Sequence, residues 1–216
     1  MTATASTPAS TVERTPDTRR LLGALVLSSP LWAAVSLAQV ATRDGFDLTR
    51  HPLSMLATGS LAWLQITNFV VAGLLAVVGA RGLARVVPSK WVPRLVTTYG
   101  VGYVLAGVFT LDPGGGFPVD HPETPTTLSW HAGLHLLAGS VAFIALMIVL
   151  ISFGRFFLRH GRRGWAIAAF AGAAAVLVGD VASMAQVAAG SLVMAVGVLS
   201  AMLLLSVITA KLRSEI

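Results

Sequence analysis

The stretch WAIAAFAGAAAVLVGDVASMAQVAAGSLVMAVGVLSAMLLLSVITA, residues 165 to 210, decides how often the chain crosses its surroundings. A helix needs about 20 predominantly apolar residues to span the roughly 30 Å hydrocarbon core of a bilayer. This stretch is more than twice that length, so it cannot cross once. The segment QVAAGS places a tight turn near Gly190, which divides the stretch into two helices at about 165 to 186 and 191 to 210.

Working outward, the same criterion finds runs at about 21 to 40, 61 to 82, 94 to 111 and 131 to 153. The expected fold is all-α: a polytopic membrane bundle of six transmembrane helices within residues 20–213, after a disordered cytoplasmic tail at 1–19 that is rich in Thr, Ser, Ala and Pro. Composition agrees. Of 216 residues, 55% are hydrophobic and 11% charged, against about 25% charged in soluble domains. The chain has no cysteine, which excludes disulfides, thiolate ligands and cysteine nucleophiles.

The net charge of +6 comes from short basic clusters between apolar runs. A nucleic-acid binder gathers its cations on one folded face, so the expected partner is the lipid bilayer and not nucleic acid. Arg14, Arg19 and Arg20 precede the first run. Arg81, Arg85 and Lys90 follow the second, Arg155, Arg159, Arg162 and Arg163 the fourth, and Lys211 and Arg213 the sixth. By the positive-inside rule these segments, and both termini, are expected on the cytoplasmic side of a plasma membrane. Trp63 and Trp130 then fall at the outer boundary, Trp91 and Trp165 at the inner one. The Arg-bearing start and the triplet Ser36 to Ala38 also fit a secretory signal peptide. The length of the run and Pro30 at its middle favour a retained, kinked span.

Polar residues collect toward the outer side, in loops at 41 to 60 and 112 to 127. Pro52 is placed to open a short interfacial helix beginning near His51. At 1.5 Å per residue, His135 lies about 7 to 8 Å inside Trp130, Asp180 about 9 Å from the turn, and Asn68 about 7 to 8 Å past Trp63. Gln65 shares a helix face with Asn68, and Tyr103 is slightly deeper. A carboxylate in a span costs about 2.5 to 3.5 kcal/mol, so Asp180 is expected to face protein or an aqueous cavity. The stripe Ala171, Ala175, Gly179, Ser183 would let a neighbouring helix approach closely beside it. Gln65, Asn68, Tyr103, Asp112, His131, His135 and Asp180 are therefore the expected lining of a pocket opening outward.

In SWHAGLH, residues 129 to 135, His131 and His135 stand four positions apart, the spacing at which one helix offers two ligands to a metal. With His51 as a third ligand, they form a candidate site for a divalent ion such as zinc. The plain alternative is a pair of interfacial imidazoles bonded to loop carbonyls. Arg43, Asp44, Asp47 and Arg50 fit a loop scaffold better than a substrate clamp, and Ser54 fits a turn cap better than a nucleophile.

The stretches RDGFDLTRHPLSMLATGSLAWLQITNFVVAGLL (43 to 75), GVFTLDPGGGFP (107 to 118) and SWHAGLH together resemble the bacterial membrane family called domain of unknown function 998. The resemblance covers about residues 20 to 210 and implies a multi-span integral membrane protein of no assigned activity. More distantly, the histidine pair is similar to zinc-dependent ceramidases and adiponectin-receptor type membrane hydrolases. On that likeness His131 and His135 would stand for the paired ligands and His51 for the third, although that group carries its pair on the last of seven core helices. Three functions follow from these readings: binding or transport of a small or lipidic ligand, metal-dependent hydrolysis at the outer leaflet with Asp112 or Asp180 as base, or an accessory subunit without chemistry.

Overall fold

The computed structural model describes residues 16–121, 123 and 125–216. These form six helices: α1 (Pro16–Thr42), α2 (Ala62–Val86), α3 (Trp91–Val108), α4 (Trp130–Arg159), α5 (Arg163–Met184) and α6 (Gly190–Ser214). A single 3₁₀ turn, Leu53–Ala57, lies between α1 and α2, and no strand occurs among the described residues. Proline suits the first position of α1 because its missing N–H has no intrahelical partner there. The helix thus starts inside the stretch read as a tail, the rest of which lies outside the described residues.

All the helices except α3 are long and apolar enough to cross a membrane. With 18 residues, α3 is short, and Arg94, Thr97, Thr98, Tyr99 and Tyr103 dilute its apolar character. It begins and ends three residues earlier than the sequence suggests, because Phe109 is already extended. The turn between α5 and α6 falls where expected, with left-handed backbone at Gln186 and Ala189.

Each helix packs on its chain neighbours, and α6 returns to α1, so the six close into a ring. Paired contacts run in opposite directions along every seam. Ser28 on α1 donates to the Ala72 carbonyl on α2 at 2.8 Å, and Ser206 on α6 donates to the Leu25 carbonyl on α1 at 3.3 Å. The Arg213 Nε bonds the Arg19 carbonyl at 3.0 Å, so both ends of the described chain lie at one end of the bundle. That end also carries Arg162 and Lys211, paired with Glu215 at 3.1 and 3.0 Å. These ion pairs hold the Glu215 carboxyl below its ordinary range, first through the Lys211 hydrogen bond.

Small residues set the seams. A Cβ on Gly73 would meet the Gly100 carbonyl oxygen at 2.5 Å, and one on Gly100 would meet the Gly73 carbonyl oxygen at 2.6 Å. Backbones touch there, as packing in lipid favours. The expected close approach beside α5 is also present: a Cβ on Gly179 would lie 2.7 Å from Met194 Cα of α6. In the basic half of the bundle the interior is filled by Leu146, Val149, Leu150, Phe153 and Phe157 of α4, all essentially inaccessible.

At the opposite end, the chain between α1 and α2 folds across the bundle. The short helix that Pro52 opens is present as the 3₁₀ turn, with Leu53, Met55, Leu56 and Ala57 buried. Arg43 donates to the Leu56 and Thr58 carbonyls and stands 4.7 Å over the Phe117 ring. Ser191 of α6 donates to the Arg50 carbonyl at 3.0 Å. The two polar loops are thereby stitched into one cap, as a scaffold whose arginines bond carbonyls and not carboxylates.

Candidate functional site

Beneath the cap lies a cavity of about 540 Å³ between α4, α5 and α6. Its aromatic floor is Trp32, Phe69 and Tyr103, with ring centroids 5.4 to 5.7 Å apart. Its roof is Pro52, Leu53 and Ser54 of the cap with Leu111 and Leu128. Leu136, Ser140 and Phe143 line it from α4, and Asp180, Ser183 and Met184 from α5. The surroundings are mostly apolar, and the charged group among them is Asp180.

His135 enters this wall through the end of α3. A helix leaves its last carbonyls without intrahelical donors. The His135 Nδ1 lies 2.9 Å from the Ala106 carbonyl and 2.7 Å from that of Phe109. Both partners only accept, so Nδ1 carries the hydrogen and Nε2 is left with a free lone pair. The side chain is buried, and its ring stands edge-on to Phe69 at 6.2 Å. His135 is thus a C-terminal cap for α3 whose second nitrogen remains available to a cavity occupant.

Asp180 is half-buried and, among the described residues, makes no hydrogen bond or ion pair. Tyr103 contributes its ring to the floor while its hydroxyl donates to Met202 Sδ at 3.0 Å, across to α6. Of the seven expected pocket residues, these three line the cavity.

The other four do not. Gln65 and Asn68 do share a face, but that face meets α1. Gln39 Nε2 donates to Gln65 Oε1 at 2.7 Å, Gln65 Nε2 to Ser36 at 2.9 Å, and Asn68 Nδ2 to the Trp32 carbonyl at 3.1 Å. They are an interhelical clasp. Asp112 accepts from the Ser129 N–H at 2.8 Å, and the Ser129 hydroxyl accepts from Ala132 N–H at 3.1 Å, which starts α4. His131 is exposed, with its ring against Trp130 at a centroid distance of 3.7 Å. It sits in the first turn of α4, one turn before His135, where its ring meets Phe109 at 5.8 Å while the α3 carbonyls of Ala106 and Phe109 are taken by His135.

His51, the expected third ligand, has both nitrogens engaged. Nδ1 accepts from the Asp47 N–H at 3.0 Å and Nε2 faces the Gly115 carbonyl at 2.9 Å. It joins the two cap loops. Among the described residues no three His, Asp or Glu side chains gather where one cation would reach them, so the zinc set His51, His131 and His135 is not assembled. In the same cap, Asp47 is held below the usual aspartate range, first by the Thr49 hydroxyl and then by its N–H. That contribution to loop order is complete above the ordinary carboxylate range and is lost as pH falls through the lowered value. Cap protection in hydrogen exchange is therefore expected to persist unchanged from neutral pH to the ordinary aspartate range and to fall only below it.

Sequence reasoning missed Trp32, Ser36, Gln39 and Phe69. One signal was present, the three- and four-residue spacing of Ser29, Trp32, Ser36 and Gln39 on α1, which marks a single packed face.

The chain matches the family described as "Protein of unknown function (DUF998)" over residues 26–211. It belongs to that family. Neither a curated protein nor a solved structure matches it significantly. Membership in the DUF998 family fits the apolar helices of an integral membrane protein and assigns no chemistry.

Proposed function

We propose that this DUF998 protein crosses a bacterial plasma membrane six times with both termini in the cytoplasm. In the outer half of the bilayer it would bind an amphiphilic, lipid-like ligand through Asp180 and His135. The observation that carries the reading is the Asp180 carboxylate, unpartnered among the described residues, in a mostly apolar cavity. A carboxylate at that depth is costly unless something satisfies it. An occupant bearing hydroxyl or amine donors would bond Asp180 and the free Nε2 of His135, while its apolar body lay along Phe143, Met194 and the aromatic floor.

Access supports a lipidic occupant. The cap roofs the cavity, whereas Leu136 and Met184, which line it from adjacent helices, are 47% and 78% exposed. Exposed side chains in the wall on two adjacent helices fit a lateral entrance, between the outer halves of α4 and α5. The interior of the basic half is filled by large apolar side chains of α4, which favours binding over transport. The zinc-hydrolase reading has no assembled ligand set to support it.

Two experiments test this. Organic extracts of protein purified in mild detergent should contain an amphiphile that co-purifies with the wild type and is at least about ten-fold depleted from Asp180→Leu, the effect of losing one charge-assisted bond. Equal recovery from both would end the ligand reading and leave the accessory-subunit one. For topology, single cysteines at Ser60 and Asp120 should react with an impermeant thiol reagent on intact cells, and one at His160 should not. The reverse pattern would invert the orientation.

A further inference from the structure

We propose a second site, at the opposite end of the bundle: a groove between α2 and α3 that binds the phosphate headgroup of an anionic phospholipid. The groove, of about 460 Å³, is lined by Arg81 of α2, Lys90 at the start of α3 and Arg94 one turn into it, together with the Ser89 hydroxyl. Its walls are Ala80, Ala84 and Pro93, small enough to let an anion reach all three cations. All three side chains are exposed, and none forms an ion pair among the described residues. This is unlike Arg162 and Lys211 at the same end, which both pair with Glu215.

Three uncompensated cations around one concavity repel one another, and an anion held among them relieves that repulsion. Ser89 is positioned to add a donor, because its oxygen already accepts from the N–H groups of Trp91 and Val92 at 3.3 and 3.4 Å, which leaves its own hydrogen free. Lipid is favoured over soluble phosphate by position. Trp91 is 60% exposed beside the groove, with Arg94 and Lys90 at 5.5 and 6.0 Å from its ring. An exposed tryptophan flanked by cations sits at headgroup depth. Arg81 lies five residues before the end of α2, about 7 to 8 Å toward the bilayer, and reaches back to the same level. Basic pockets between spanning helices recognise anionic headgroups by this arrangement.

Native mass spectrometry of the full chain, released from detergent with defined phosphatidylglycerol or phosphatidylcholine, tests it. Wild-type protein should retain phosphatidylglycerol in preference, and R81Q/K90Q/R94Q should lose roughly 100-fold in apparent affinity, since each cation near a charged surface contributes about a fivefold factor. The conservative K90R variant should retain the lipid, and wild-type retention should weaken with rising salt. If the triple variant does not fold, the salt series and K90R decide the matter alone. Equal retention of both lipids by the wild type, retention unaffected by salt, or displacement by inorganic phosphate at equal molarity would overturn the proposal.

Discussion

Gly73→Leu is expected to destabilise the bundle strongly. The Gly73 and Gly100 backbones are in mutual contact, and even a Cβ on Gly73 would stand 2.5 Å from the Gly100 carbonyl oxygen and 2.8 Å from Val104 Cγ2. The carbonyl belongs to a helix held on both sides, so it cannot move aside as a flexible side chain would. Overpacking costs typically 1 to 3 kcal/mol and more where the neighbour is rigid, so a loss of about 3 kcal/mol or greater is expected for Leu, with Ala intermediate. The measurement is the thermal midpoint of purified protein in detergent, with Gly133→Ala as control. A Cβ at Gly133 meets nothing within 4 Å, so that change should be neutral or slightly stabilising through helix propensity. Equal midpoints for Gly73→Leu and wild type would refute the backbone contact between α2 and α3.

His135 variants should separate two roles that one side chain combines. His135→Ala leaves the Ala106 and Phe109 carbonyls without their donor. An orphaned buried polar group costs about 1 to 3 kcal/mol, so about 2 kcal/mol of stability is expected to go, along with the co-purifying amphiphile. His135→Asn places an amide N–H near the position of Nδ1 and has nothing in place of Nε2. It should recover most of the stability and none of the ligand retention. Thermal midpoints and lipid extracts of the two variants read these effects independently. If Asn restored both, the free Nε2 would have no part in binding.

The architecture was legible because bilayer physics writes it in one dimension. The length from Trp165 to Ala210 demanded a turn, and the helix ends fall within about six residues of where apolar length places them. The candidate site was legible only in part. Asp180, His135 and Tyr103 reach the cavity, as a depth argument along each helix suggests, because depth depends on residue count alone. Rotation about the helix axis does not. Gln65 and Asn68 lie at the right level and turn toward α1, since which neighbour a face meets is set by the ring closure of α6 on α1 and by the glycine contacts that bring α2 against α3. The i, i+4 rule placed His131 beside His135 without the information that α3 ends one turn too early to shelter it; only the end of α3 made His135 a cap and left His131 against Trp130. His51 likewise became a loop staple through Gly115, 64 residues away in the chain, a partner that no local pattern specifies. Length, apolar content and charge order are additive along the chain and so belong to the sequence by itself, while the direction each polar side chain takes is a property of pairs of helices and was decided only when they packed.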